Sequence, residues 1–331
     1  MNEFPLVIIT TGDPSGIGPE ITVKSFIEAP ELFKKCIPLI VGDYSVLKQF
    51  LNKSRVKYTV NSKFIPEKIS KNTLNIVDLA VLKNKTAMGV VSGTSGAASI
   101  DYLNFAVNLL TTHIIKKPNA FSLVTGPISK ESVIKSGIQG FSGHTEYLAE
   151  KTCSKQFAML MASEKYKVLL ATRHIALKKV PGSISKKLLT QQVLTVIKTM
   201  RDYLNIRPSE IIMCALNPHC GESGHIGKEE EKIIIPAILE LKKRNLNISG
   251  PIAAEYAFSI SIKNDLIVCQ YHDQAMAPLR LLCGMKFVNI TCGLPFLRVS
   301  PAHGTAFDIA GKNCADPSSM MEAIKFASGS N

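Results

Sequence analysis

Short runs of aliphatic and β-branched residues punctuate the chain and predict strands at Leu6–Thr10, Ile37–Val41, Leu74–Val77, Phe121–Thr125, Val168–Thr172, Ile211–Leu216, Leu266–Gln270 and Val288–Thr291. Most of these runs are apolar throughout rather than alternating, the pattern of strands covered on both faces. Between them, apolar residues recur at helical spacing: Ile100, Leu103, Val107 and Leu110, then Leu189, Val193, Ile197, Met200 and Leu204. This βα alternation predicts an α/β protein with a mostly parallel sheet. No internal repeat, low-complexity segment or Ser/Gly-rich linker occurs, so structured crossovers are expected to join any two domains.

Composition sharpens the picture. At 331 residues, with 46% hydrophobic and 20% charged side chains, the chain has material for two ordinary domains. Lys and Arg exceed Asp and Glu by 39 − 26 = 13. The lysines are scattered over helix faces, as in LKKRN and KKLLTQQ, with no basic stripe interleaved with aromatics. A nucleic-acid partner is therefore not expected, whereas a net positive field suits phosphorylated small molecules. No apolar stretch is long enough to span a membrane, and the first apolar run is too short for a signal peptide. Eight cysteines without a CxxC pair fit reduced thiols, hence a cytoplasmic protein.

Candidate chemistry lies at the ends of the predicted strands. The loop from Thr11 to Glu20, TGDPSGIGPE, links a strand to a helix, but Ile21 stands where GxGxxG needs its third glycine; the loop is either a tight turn or an anion site. Of seven histidines, His174, His219 and His272 each follow a predicted strand, on the edge where open parallel sheets bind ligands. They either converge on one divalent metal or simply cap strand ends. Asn217, Glu222, His225, Asp273 and Gln274 are polar neighbours able to orient such imidazoles. His113 and His225 have no assigned role. GFSGHTE, with His144 and Thr145, is a further polar loop, and Asn289 and Arg298 flank ITCGLPFLR. Arg298 is either a bidentate anion clamp or a surface ion-pair partner. Near the C-terminus, HGTAFDIAGK, from His303, offers backbone amides to an adenine nucleotide.

Taken together, GDPSGIGPE, VTGPISKE, GHTEYLAE, TRHIAL, ALNPHCGESGHIGKEE, YHDQAMAPLR, VNITCGLPFLR and SPAHGTAFDIAGK resemble, in order, the 4-hydroxythreonine-4-phosphate dehydrogenase family of pyridoxal phosphate biosynthesis. HGTAFDIAGK also resembles the coenzyme loop of isocitrate and isopropylmalate dehydrogenases. The resemblance implies a homodimer of subunits with two α/β/α domains, residues 1–127 with 283–331 and residues 128–282, and an active site in the interdomain cleft completed across the dimer interface. It implies metal ligands His174, His219 and His272; substrate contacts His144, Thr145, Arg280, Asn289 and Arg298; and coenzyme contacts His303, Gly304, Thr305 and Asp308. Asp273 and Arg280 are the catalytic candidates. The implied cofactors are NAD or NADP and a divalent metal, zinc foremost, with magnesium or cobalt as substitutes.

The implied reaction is oxidation of 4-phosphooxy-L-threonine followed by decarboxylation to 3-amino-2-oxopropyl phosphate. The nearest rival is a dehydrogenase of 4-phospho-threonate or 4-phospho-erythronate; a metal-dependent hydrolase is the distant one. Two positions depart from the family pattern. Arg280 stands where lysine is usual, which weakens any role as a general base, and Ala302 stands where an aspartate commonly precedes HGTA.

Overall fold

In a computed structural model the described residues are 4–52, 54–64, 68–84, 87–114 and 120–329. The side chain of His113 lies outside the described part of the chain. Two compact units form: Met1–Ser154 with Leu294–Asn331, and Lys155–Gly293.

Unit 1 begins with β1 (Leu6–Thr10), α1 (Gly18–Glu28), β2 (Ile37–Gly42), α2 (Tyr44–Leu51), β3 (Tyr58–Asn61) and β4 (Leu74–Asp78). It continues through α3 (Gly93–Ile114), β5 (Phe121–Thr125), α4 (Lys130–Lys135) and α5 (His144–Lys151). Unit 2 contributes β6 (Ala158–Ala162), β7 (Lys167–Leu170), α6 (Val180–Ser183), α7 (Lys186–Leu204), β8 (Ile211–Cys214) and α8 (Ile235–Lys242). It ends with β9 (Ile248–Ile252), α9 (Ala254–Ile260), β10 (Leu266–Cys269), α10 (His272–Cys283) and β11 (Val288–Cys292). The chain then returns to unit 1 for β12 (Leu297–Pro301) and α11 (Ser318–Ala327).

In unit 1 the strand order is β3-β4-β2-β1-β5-β12, and every neighbouring pair is parallel. In unit 2 it is β11-β6-β7-β10-β8-β9, with only β6 running against its neighbours. The expected α/β class and mostly parallel pairing are thus present. β1 and β2 bury every residue, as their continuous apolar sequences predict. Each such aliphatic side chain contributes about 1.5–3 kcal/mol by leaving water. In unit 2 the buried face of α7 runs through Leu189, Val193, Val196, Met200 and Leu204; Ser185 caps its first turn by accepting from the Leu188 amide, and left-handed Asn205 ends it.

Residues 128–154, which the sequence reading places in the second domain, lie in unit 1. Gly96 of α3 explains part of this: a Cβ there would sit 2.0 Å from the Ser132 carbonyl oxygen, so α4 rests directly on the α3 backbone.

Candidate active site

The carboxyl ends of β7, β10 and β8 lead within a few residues to His174, His272 and His219. The rings of His174 and His272 stand 5.6 Å apart, centre to centre. His272 opens α10, and its Nδ1 bonds the Asp273 carboxylate at 2.6 Å. His219 Nδ1 bonds Glu222 at 2.7 Å, and this partner raises the His219 pKa above its ordinary value. In both residues the carboxylate occupies Nδ1 and leaves Nε2 as the remaining ring nitrogen, the pairing seen where histidine binds a metal. Among the described residues no set of three His, Cys, Asp or Glu side chains is closed to metal-binding distance. The structure brings His174 and His272 together, while His219 sits on an exposed loop.

That loop is unusual in its backbone. His219, Cys220, Gly221, Glu222 and Ser223 all have positive φ, from 45° to 79°. Left-handed geometry costs about 1–2 kcal/mol per non-glycine residue, so the surroundings must impose it. Glu230, almost fully buried, holds the entry to the loop: its Oε1 accepts from the Leu216 and Asn217 amides and its Oε2 from Asn217 Nδ2. Asn217 Nδ2 also donates to Glu229. Glu230 was not singled out by sequence reasoning, since one glutamate in GKEEEK looks like any other on a helix.

Unit 1 carries a buried guanidinium. Arg298, only 2% exposed on β12, donates from Nη2 to Thr125 Oγ1 at 2.6 Å, at the end of β5. Burial pulls its guanidinium down to about 9, partly offset by the Glu146 carboxylate, so it remains cationic at neutral pH. The surface ion-pair reading of Arg298 is therefore replaced: the side chain is buried. His144 and the buried Thr145 open α5, and burial, then the positive charge of Arg298, holds the His144 imidazole well below its ordinary pKa of 6.5. Its Nε2 is buried without a hydrogen-bond partner among the described residues.

This shift has a consequence for stability. As pH falls below about 6.5 the unfolded chain takes up a proton that native His144 refuses, so His144 subtracts stability on acidification. Urea unfolding at pH 7 and pH 5 is expected to show a smaller acid loss in His144→Asn than in the parent chain; an equal loss would place the imidazole in water.

Asn289, half-buried on β11, has an Oδ1 that is buried and without a partner among the described residues. Arg280 lies exposed near the end of α10, donates to the Gly284 carbonyl at 3.0 Å and stacks on Phe287 at 4.7 Å. These contacts make Arg280 a cap on the C-terminal end of its helix in this structure.

The loop from His303 to Lys312 is held from behind by the TGDPSGIGPE loop. The Ile17 amide donates to the Thr305 carbonyl at 3.0 Å, and a Cβ on Gly16 would lie 3.0 Å from the same oxygen. Gly89, at φ +77°, backs onto the Phe307 carbonyl. Beyond the loop, Glu20 of α1, wholly buried, accepts from the Ala315 amide and pairs with Lys24 at 2.8 Å, while Lys24 donates to the Asn313 and Ala315 carbonyls. His303 Nδ1 donates to the Gly304 carbonyl, and Gly304 and Asp308 are exposed. TGDPSGIGPE thus braces the neighbouring loop. The Ala302 amide donates to Ser319 Oγ.

A mostly parallel α/β protein with imidazoles, carboxylates and a buried guanidinium near its strand ends has the construction of a small-molecule enzyme. The chain belongs to the family described as pyridoxal phosphate biosynthetic protein PdxA, whose model matches residues 34–327. It is 38% identical over 319 residues to the 4-hydroxythreonine-4-phosphate dehydrogenase of Sulfurihydrogenibium sp. (strain YO3AOP1), covering 96% of each chain. It is 36% identical over 333 residues to a protein of Oceanobacillus iheyensis named "Putative D-threonate 4-phosphate dehydrogenase", covering 98% of this chain and 97% of that one. Among solved structures, a 4-hydroxythreonine-4-phosphate dehydrogenase from Burkholderia phymatum matches with a TM-score of 0.83 and 32% identity, over 99% of this chain and 98% of that one.

Proposed function

We propose that the chain is a metal-dependent, NAD-linked dehydrogenase that oxidises 4-phosphooxy-L-threonine at C3, after which the 3-oxo acid loses carbon dioxide to give 3-amino-2-oxopropyl phosphate. The observation that carries this reading is the near end-to-end similarity to the Sulfurihydrogenibium enzyme of that name. In the reaction the C3–H bond breaks with its electron pair leaving to the coenzyme, while the C3 hydroxyl gives up its proton. The C–CO2 bond then breaks, and a proton is returned to the resulting carbon.

The donor set fits a divalent cation, with zinc the foremost candidate: His219 and His272 are each fixed by a carboxylate at Nδ1, and His174 lies beside His272. When bound, such an ion acidifies the hydroxyl and withdraws electron density from the ketone, and the nicotinamide accepts hydride. The chain's own residues do the rest. Asp273 holds His272 in one tautomer. Arg298, with His144 and Thr145, recognises the anionic end of the substrate; His144, uncharged, offers hydrogen bonds without adding a second positive charge. Arg280, a guanidinium tied to its helix end, serves substrate charge rather than proton transfer.

The loop of His303, Gly304, Thr305 and Asp308 fits a coenzyme, being pinned from behind and exposed in front. Glu20→Gln, which keeps an acceptor for Ala315 but loses the charge paired with Lys24, is expected to raise the KM for NAD about tenfold while leaving the KM for the phosphorylated substrate unchanged. Parallel steady-state titrations check this; equal changes in both constants would contradict it.

Eight unpaired cysteines, with Cys214 and Cys269 only 4.0 Å apart as thiols, support a reducing, cytoplasmic setting. No helix among the described residues is long and apolar enough to cross a membrane. Exposed Leu239, Tyr256, Ile260, Ile262 and Leu281 on unit 2 support assembly as a homodimer.

The second reading, oxidation of 4-phospho-D-threonate, is favoured by the similarity to the Oceanobacillus protein. The two substrates differ at C2, amino against hydroxyl. A comparison of kcat/KM on both decides between them: preference for the amino compound supports the first reading, and preference for the hydroxy compound replaces it with the second.

A further inference from the structure

The chain leaving β1 turns around one side chain. Asp13 is wholly buried; its Oδ1 accepts from the Ser15 amide at 2.9 Å, and its carbonyl accepts from the Gly16 amide at 3.0 Å. An aspartate that bonds the backbone two residues on in this way fixes a turn. The Asp13 amide donates to the Pro127 carbonyl at 2.9 Å, just past β5, and the hydroxyls of Ser132 on α4 and Ser95 on α3 face the carboxyl group. Burial raises the pKa of this carboxyl group above its ordinary value, and the bonds from Ser15, Ser132 and Ser95 pull it back down. A group so costly to bury is held in place by partners from three separate segments of unit 1.

The turn bears on the loop of His303 to Lys312 at two points. The Ile17 amide donates directly to the Thr305 carbonyl at 3.0 Å. The Ser15 carbonyl accepts from the Gly89 amide at 2.7 Å, and Gly89 backs onto the Phe307 carbonyl. Ser15 is therefore gripped on both sides, by Asp13 at its amide and by Gly89 at its carbonyl. Without the Asp13 oxygen the Ser15 amide loses its partner in the interior, and the backbone from 13 to 17 has to shift to find another. Both contacts to the loop lie on that stretch.

We infer that Asp13 is a positioning residue for the coenzyme: through the turn at Ser15 it sets the placement of residues 303–308 and thereby the affinity for NAD. The inference rests on the coenzyme role proposed for that loop. Because Asp13 is wholly buried and Gly304 and Asp308 are exposed, it acts from behind, through the backbone. Glu20 holds a different point, the Ala315 amide beyond the loop.

The test is NAD affinity of the full chain by titration calorimetry, with thermal unfolding and the KM for 4-phosphooxy-L-threonine measured on the same proteins. The variants are Asp13→Ala, which removes both oxygens, Asp13→Asn, which keeps Oδ1 as an acceptor for Ser15, and Ser132→Ala, which removes one facing hydroxyl. Asp13→Ala is expected to weaken NAD binding by about tenfold, Asp13→Asn to recover it to within about threefold of the parent, and Ser132→Ala to weaken it by about threefold, with the substrate KM unchanged throughout. A lower melting temperature with parental NAD affinity in Asp13→Ala makes the residue purely structural and overturns the inference while the coenzyme reading stands. Asp13→Asn as weak as Asp13→Ala also overturns it, since the bond to Ser15 is then not what matters. A parent chain that binds no NAD overturns the coenzyme reading, and the inference with it. If Asp13→Ala does not fold, Ser132→Ala decides, and unchanged affinity there overturns the inference.

Discussion

His272→Ala is expected to lower kcat/KM for NAD-dependent oxidation by about a thousandfold, because a divalent cation contributes several kcal/mol to stabilising the charge that develops on the substrate oxygen. His272 is the best-placed of the three histidines. It opens α10, its Nδ1 is held by Asp273 at 2.6 Å, and its ring stands 5.6 Å from that of His174. The variant is expected to stay folded, since the imidazole is part-exposed, with 39% of its side chain accessible. Metal content by mass spectrometry should fall with activity. Retained activity and metal would mean that the three histidines only cap strand ends.

Arg298→Met is expected to separate stability from function. The guanidinium is buried among unit 1 residues, and its charge is what burial penalises. Replacing a buried charge with an apolar side chain of similar length is often neutral or stabilising. In the function proposed above, substrate recognition uses that same charge, and losing a buried charged contact costs about 2–5 kcal/mol. The expected result is kcat/KM down by about a hundredfold or more, a KM for NAD unchanged, and a melting temperature equal to or above that of the parent chain. A fall in melting temperature with little change in kcat/KM would make Arg298 a structural residue. His144 gives a second readout: with the neighbouring cation gone, its imidazole pKa should move up toward the ordinary value.

Much of the fold was legible in the sequence, for reasons visible in particular strands. LVIIT, IPLIVG and LIVC are apolar almost throughout, with Thr10 at the end of the first the one polar residue, and all of their residues are buried. The strands that escaped lack that signature. β3, YTVN, is a half-exposed edge strand; β6, AMLMA, has no β-branched residue; β9, ISGPI, carries Gly250 and Pro251; and β12, LRVSP, hides a buried arginine among its apolar residues. The histidines could be placed at strand ends from sequence alone, and their carboxylate neighbours Asp273 and Glu222 were in view. The braces were not. Glu20, Glu230 and Gln270 look like surface residues in the sequence and are buried in the structure, because their partners are backbone groups that only the tertiary fold brings to them. Hydrogen bonding to backbone leaves no compositional trace.

Metal-dependent dehydrogenation is read out by following NADH formation from 4-phosphooxy-L-threonine, with the protein as purified and after treatment with a chelator. Reduction of NAD is expected to stop on chelation and to return when zinc or another divalent ion is restored. NADH formation that survives complete removal of metal, or no NADH with metal present, would contradict the proposed function.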